Sequence, residues 1–419
     1  MQVAHDARSV SAVRRVEFAV DDRSAPVTRR NETLANLRTF VTLLVVAHHA
    51  ALAYHQYAPP LPASLTAATA WPAFPIVDSQ RWGLGALLVG INDTFFMSLM
   101  FLVSGIFAWP SLVRKGAGPY LRDRTVRLGL PFIVSAALLA PLAYYPTYLM
   151  TTAPGGVAAY VRTWIGLGQW YAGPAWFLWV LLAFGGVLAV LFARAPRFVT
   201  QAGQLFGRLA DRPLRWVALL VVLSTVAYLP MAGIFGAENW LHAGPFWIQA
   251  GRTLHYLVYF LVGAALGAYG NDRGLLAHDG RLARRWPLWL AMAIGAFVFG
   301  TVMLLTIIGT LAHGGPGVAL SAMGNFSFVL CCAGWSVLTM ALFLRFGTRS
   351  NGAARSLGAN AYGIYLFHYV FVTWLQYSLL GASLPGAVKF AVVFTGAVAG
   401  SWALSALARR VPAVAKVIG

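Results

Sequence analysis

An all-α membrane protein, a bundle of about ten transmembrane helices with both termini cytoplasmic, is the fold class the sequence predicts, and three observations predict it. Hydrophobic residues make up 59% of the 419 residues and charged residues only 10%, with a mean hydropathy of +0.68. A soluble chain could not bury that much apolar surface. Runs of about 20 nearly uncharged residues recur along the length, each able to cross a hydrocarbon core of roughly 30 Å. The basic residues stand between those runs, so the net charge of +19 marks a membrane topology and not a nucleic-acid surface.

In chain order, residues 1–33 mix acidic and basic side chains without an apolar core and read as a disordered cytoplasmic tail, neither signal peptide nor domain. Apolar runs then predict spans near 36–57, 86–112, 129–150, 174–193, 216–236, 251–270, 287–311, 318–344, 357–380 and 387–408. They form one transmembrane domain, 34–408, followed by a short cytoplasmic tail, 409–419. Loops at 58–85 and 151–173 are rich in Pro, Gly, Trp and Tyr, and no soluble catalytic domain is expected on either side. An even span count puts both termini on one side. The two tails and the connections on that side hold 27 of the 31 Lys and Arg, leaving Arg81, Arg162, Arg252 and Lys389 for the other. The positive-inside rule makes the basic side cytoplasmic and the chain a multi-pass protein of the inner membrane. Cys331 and Cys332 are adjacent in an apolar run, where they read as buried, inert thiols.

Ionisable residues within spans face the bundle interior and mark function. The first span carries Arg38 and, eleven residues on, His49. At about 100° per residue the two share one helix face, about 16 Å apart along the axis. With Arg38 at the headgroup level, His49 lies near the midplane, where an imidazole can take a proton from a hydroxyl while the guanidinium holds an anion at the entrance. His48 lies about 80° off that stripe and is expected to be a packing residue. Asp93, beside Asn92, stands near the outer start of the second span and is a candidate for orienting His49 or for binding a hydroxyl. His368 lies about midway along the ninth span. Arg252 and His255 share a helix face and read as an interfacial Arg with a satisfied His, while Glu238, His242 and His313 belong to outer loops. Trp71, Trp82, Trp164, Trp170, Tyr171, Trp240 and Trp247 gather in the outer segments, as an interfacial aromatic belt or a sugar-stacking surface would require. No His-x-x-x-His or His-Glu-x-x-His pair is present, so no metal site is expected.

Four stretches together resemble a known family. Asn36, Leu37 and Arg38 through His49 resemble the Arg, ten residues, His signature of the acyltransferase 3 family of integral membrane O-acyltransferases. Phe101 to Gly105, then Tyr120 to Arg127 with Arg124 and Arg127 three apart, resemble its second and third spans. Trp176, Phe177 and Leu178 are similar to a segment of glucan-modifying members, and Tyr362 to His368 resembles a Tyr-x-x-Tyr-Leu-x-His motif in the ninth span.

The resemblance covers about residues 34–408. It implies transfer of an acyl group from cytoplasmic acyl-CoA, as co-substrate with no permanently bound cofactor, to a hydroxyl of an extracytoplasmic carbohydrate or glycan. His49 is then the general base and Arg38 a catalytic partner. A CoA thioester carries several negative charges, so Arg122, Arg124 and Arg127 are the expected donor site. Asp93, His368 and Trp176 are candidates for the acceptor side. Direct transfer and a covalent acyl-His49 intermediate both stay open. So do the oligomeric state and the alternative of a transporter or flippase for an acidic lipid or glycan, which would bind substrate through the same buried Arg and His. The partners expected are acyl-CoA, the acceptor and the lipid bilayer, with no nucleic acid.

Overall fold

The computed structural model describes residues 31–60, 63–66 and 74–419. Residues 1–30 of the N-terminal tail and Trp71 lie outside the described residues. The helices are α1 Glu32–Leu52, α2 Gly83–Lys115, α3 Ala117–Leu149, α4 Val157–Gly166, α5 Trp176–Arg194, α6 Pro196–Arg208 and α7 Pro213–Phe235. A hairpin follows, β1 Trp240–Ala243 and β2 Phe246–Gln249. The longer helices of the rest of the chain are α8 Thr253–Tyr269, α9 Trp286–Thr310, α10 Val318–Phe346, α11 Gly352–Ser378 and α12 Gly386–Ala408, before a terminal helix, α13 Pro412–Ile418.

Among the described residues eight helices are long and apolar enough to cross a membrane, each at an expected place. The two other expected spans are α8, of 17 residues, and α11, of 27. α8 is short for a full crossing, and α11 carries Arg355, Asn360, His368 and Gln376 along its length. α3 begins twelve residues before its expected start of 129, because the arginines that interrupt the apolar run do not interrupt the helix. Two stretches expected as loops are also helical. α4 lies within 151–173, and α6 buries Val199, Gly203 and Phe206, a spacing of four and three that sets one apolar stripe against α8.

Burial follows position in the bundle. α9 buries only Trp289 and Ala293 and turns the rest of its apolar surface outward, as a lipid-facing helix does, whereas α1 and α2 are extensively buried. α2 and α8 meet along a seam of small residues. A Cβ added to Gly105 would sit 2.0 Å from the Phe260 carbonyl oxygen, one on Gly263 2.0 Å from that of Leu102, and one on Gly267 2.1 Å from that of Ile106. Backbone approach of this kind is how membrane helices gain dispersion contact when lipid supplies no hydrophobic drive. Gly263→Val is therefore expected to lower the melting temperature of the purified protein through overpacking of about 1–3 kcal/mol or more. Gly90→Ala, where a Cβ meets nothing within 4 Å, should leave the melt nearly unchanged, and equal melts for the two variants would remove the seam as a source of stability.

α3 is irregular. It contains two π-helical stretches, Thr125–Gly129 and Ser135–Leu139, among Pro131, Pro141 and Pro146. Proline has no N–H to give the carbonyl four residues back. Two of the carbonyls so released find side-chain donors on α11: the Tyr362 hydroxyl donates to Arg127, and Trp374 Nε1 donates to Leu142 at 3.0 Å. Replacement donors of this sort are what allow broken helical bonding at membrane depth.

Candidate functional site

α1 carries chemistry at both ends of one face. Near its start Asn36 Nδ2 donates to the carbonyls of Gly347 and Arg349, and Arg38 Nη2 donates to that of Gly358 at 3.3 Å. Near its end, Gln376 Nε2 donates to the carbonyls of His49, at 2.9 Å, and Ala50, at 3.2 Å. These carbonyls lie in the last turn, where helical partners run out. Gln376 thereby fixes the backbone that carries His49.

Two cavities open along this face. The first, of about 220 Å³, is lined by Arg38, Arg124, Arg127, Ser104, Tyr362 and Tyr365. The second, of about 200 Å³, is lined by His48, His49, Asp93, Trp176, Glu238 and Arg252, with Tyr365 again in its wall. Tyr365 thus stands between them. Its hydroxyl donates to the Pro174 carbonyl at 2.5 Å, which holds the ring in place.

The histidines form a pair across α1 and α11. His368 is fully buried; its Nδ1 lies 2.6 Å from the Tyr365 carbonyl, and its Nε2 lies 3.2 Å from His49 Nδ1. His49 Nδ1 is also 2.9 Å from the Val45 carbonyl. Assigning protons from this network, His368 Nδ1 carries its hydrogen and leaves Nε2 as an acceptor. His49 Nδ1, facing two acceptors, carries the other. The lone pair of His49 is then on Nε2, the nitrogen a proton-accepting base must offer. His55, the third histidine of this stretch, lies beyond the helix, where burial and the nearby Arg81 guanidinium lower its pKa.

Of the residues singled out in the sequence, Arg38, Arg124 and Arg127 come together in the first cavity, and His49, Asp93 and Trp176 in the second. Arg124 also lies over the Tyr120 ring, 5.2 Å from its centroid, and Arg127 bonds the main-chain oxygens of Lys416 and Gly419. Arg122 does not join them. It lines an exposed groove with Asp123 and Lys416, which Arg127 also borders, and two residues along the helix turn it about 200° away from Arg124.

Asp93 pairs with Arg252 at 3.0 Å, and Arg252 Nη2 also reaches Glu238 at 2.7 Å. The partner that orients His49 is His368, a role the sequence had offered to Asp93. Arg252, read as an interfacial anchor, has only 4% of its side chain exposed and lies over the Phe328 ring. His48 stacks on Phe96 at 5.1 Å as a packing residue would, yet it also lines the second cavity. An offset of about 80° still falls on the cavity's wall. Cys331 and Cys332 are both free and buried, with Cys332 Sγ 3.3 Å from His255 Nε2. Among the described residues no group of three or more His, Cys, Asp or Glu converges as a metal would need.

Tyr365, Gln249, Gln376 and Glu238 were not assigned to the site from the sequence, or were placed in a loop. Tyr365 stands within the ninth-span motif, so a signal for it existed. Gln376 lies eight residues beyond His368, about 80° round the helix, so the spacing alone did not single it out.

A family model described as an acyltransferase domain, that of the acyltransferase 3 family, matches residues 31–406. Searches of curated proteins and of solved structures each returned no match.

Proposed function

The chain belongs to the acyltransferase 3 family, whose domain it carries over nearly its whole length, and from that premise we propose that it moves an acyl group from acyl-CoA at the cytoplasmic side of the inner membrane to a hydroxyl of a carbohydrate or glycan on the far side. The observation that carries the reading is the pair of cavities on one face of α1, arginines in one and His49, backed by His368, in the other, with Tyr365 common to both walls.

The chemistry follows from these groups. The phosphates of CoA suit Arg38, Arg124 and Arg127, whose guanidinium groups make charge-assisted hydrogen bonds to phosphate. The thiol arm then points past Tyr365, bringing the thioester carbonyl toward His49. An acceptor hydroxyl donates to His49 Nε2, and as its oxygen attacks the carbonyl carbon the proton passes to the imidazole. His368 Nε2 and the Val45 carbonyl, both against His49 Nδ1–H, favour the imidazolium that results. Collapse breaks the C–S bond, and the departing sulfur takes the proton from His49. The products are an ester and free CoA thiol.

The test is thiol release by the purified protein in liposomes, given acetyl-CoA and a neutral oligosaccharide. Release that depends on the sugar, with the acyl group found on it, is the expected result; sugar movement across the bilayer without thioester loss would instead make the chain a transporter. The donor site adds a sharper expectation. Replacing Arg124 and Arg127 together by Gln should raise the KM for acyl-CoA by about tenfold or more, and the wild-type KM should itself rise with salt. A KM unchanged by the double substitution would make these residues topology anchors only.

A further inference from the structure

The second cavity holds, beside His49, a charge arrangement that the acyl-transfer chemistry does not use. Arg252, with only 4% of its side chain exposed, bridges Asp93 and Glu238, whose side chains are 46% and 73% exposed. A guanidinium buried at membrane depth is costly unless paired, and here one cation is paired with two carboxylates. With neutral histidines, the cavity lining therefore carries one net negative charge.

The bonding around the two carboxylates differs. Glu238 receives Arg252 Nη2 on Oε1 and Gln249 Nε2, at 3.3 Å, on Oε2. Gln249 is itself held by the Tyr256 hydroxyl at 3.3 Å. Asp93 receives Arg252 on Oδ2 alone, which leaves Oδ1 to accept from elsewhere. The position of Asp93 is fixed from behind, since the adjacent Asn92 is buried and its Nδ2 donates to the Leu44 carbonyl at 3.1 Å. A second group also lacks a partner. His48, nine-tenths buried in the wall of the same cavity, has no hydrogen-bond partner at Nδ1 among the described residues. Trp176 and Trp240 complete that wall, their rings nearly perpendicular with centroids 5.2 Å apart. An unused carboxylate oxygen and an unpartnered imidazole nitrogen beside aromatic planes suit the hydroxyls of a polyhydroxylated ring.

Resting on the acyltransferase reading of this cavity, we propose that Asp93, held by Arg252, positions the acceptor by accepting a hydrogen bond from a second hydroxyl of an uncharged sugar, and that the net negative charge of Asp93, Glu238 and Arg252 excludes acceptors bearing a carboxylate or phosphate. A like charge brought beside these carboxylates meets one negative charge that Arg252 does not compensate. A neutral sugar brings hydroxyl donors that the carboxylates can accept from, and no like charge. Asp93 is thus a positioning and specificity residue, distinct from the base.

The probes are a neutral gluco-oligosaccharide and the same oligosaccharide carrying one uronate. Binding to the purified wild-type protein without donor is read through tryptophan fluorescence, since two tryptophans line the cavity. The neutral sugar should bind at least about tenfold more tightly than the uronate, about 1.4 kcal/mol. Asp93→Asn should weaken neutral binding by about tenfold. Glu238→Gln, at a more exposed position that puts less of the fold at risk, should shrink the neutral-to-uronate ratio to about threefold or less, because it removes the net charge. Equal binding of the two sugars by wild type, binding of neither, or a tenfold ratio that persists in folded Glu238→Gln would each overturn the proposal. A sugar that binds as expected while no thiol is released would leave this inference standing and defeat the acyl-transfer reading.

Discussion

His49→Ala is expected to lower acyl transfer by at least about 100-fold, roughly 3 kcal/mol of barrier, with expression and acyl-CoA binding nearly intact. The loss should fall on kcat, because the arginines lining the donor cavity are untouched and the proton acceptor is gone. His48→Ala is the informative comparison. Its ring stacks on Phe96 and borders the cavity, but it makes no bond to His368 among those formed by the pair. It should keep most of kcat and raise the KM for the acceptor. His368→Ala should fall between the two, since it removes the acceptor at His49 Nδ1 but leaves the Val45 carbonyl there. Steady-state kinetics on the three folded variants check the order. Turnover that survives in His49→Ala and collapses in His48→Ala would reverse the assignment of the base.

The largest expected effect on stability lies away from the histidines. Lys389 Nζ and Asp78 Oδ2 are 2.7 Å apart, with side chains 0% and 1% exposed. Asp78 also accepts from the Gln80 N–H at 2.8 Å, and its own N–H donates to the Ala53 carbonyl at 2.9 Å. The pair therefore ties α12 to the segment before α2 and to the end of α1. Lys389→Met leaves a carboxylate buried with no cation, and such half-pairs cost about 3–5 kcal/mol. The Asp78→Leu, Lys389→Met double variant removes both charges and should recover most of that loss, a neutral outcome often found for buried pairs replaced by apolar residues. Thermal melting in detergent gives both values. Single and double variants with the same melting temperature would mean that the ion pair contributes through shape alone.

What the sequence made legible followed from regular helical geometry. The Arg38 to His49 register rests only on residues per turn within one helix, and each residue lines a cavity on that face. Arg124 and Arg127 were read instead from a motif resemblance and from the charge of CoA, which gave no reason to set Arg122 apart; the helical angle that turns it away from Arg124 does. The pairing of His49 with His368 was not legible. It joins residues 319 positions apart, and nothing local in either helix specifies which of its neighbours it meets. Arg252 shows a different limit. Its charge was read as a solvated anchor because the two carboxylates that pair with it come from α2 and from the connection before β1. The start of α3 was misjudged because a hydropathy window ends at charges, whereas a helix at the headgroup boundary tolerates arginines that reach toward water.

The glycine seam between α2 and α8 has a mechanical consequence. Asp93 belongs to α2 and Arg252 immediately precedes α8, so the charge pair spans two rods whose backbones already touch at Gly105, Gly263 and Gly267. Rods in such contact cannot slide without a clash of main chain on main chain, and they move as one body. Compliance has to come from the other side of the cavities. There α3 holds two wide turns, each one residue out of the ordinary helical count, the kind of local irregularity at which helices kink. The charged wall of the second cavity thus rests on the tightly packed α2 and α8, while the irregular α3 contributes Tyr144 to the same cavity.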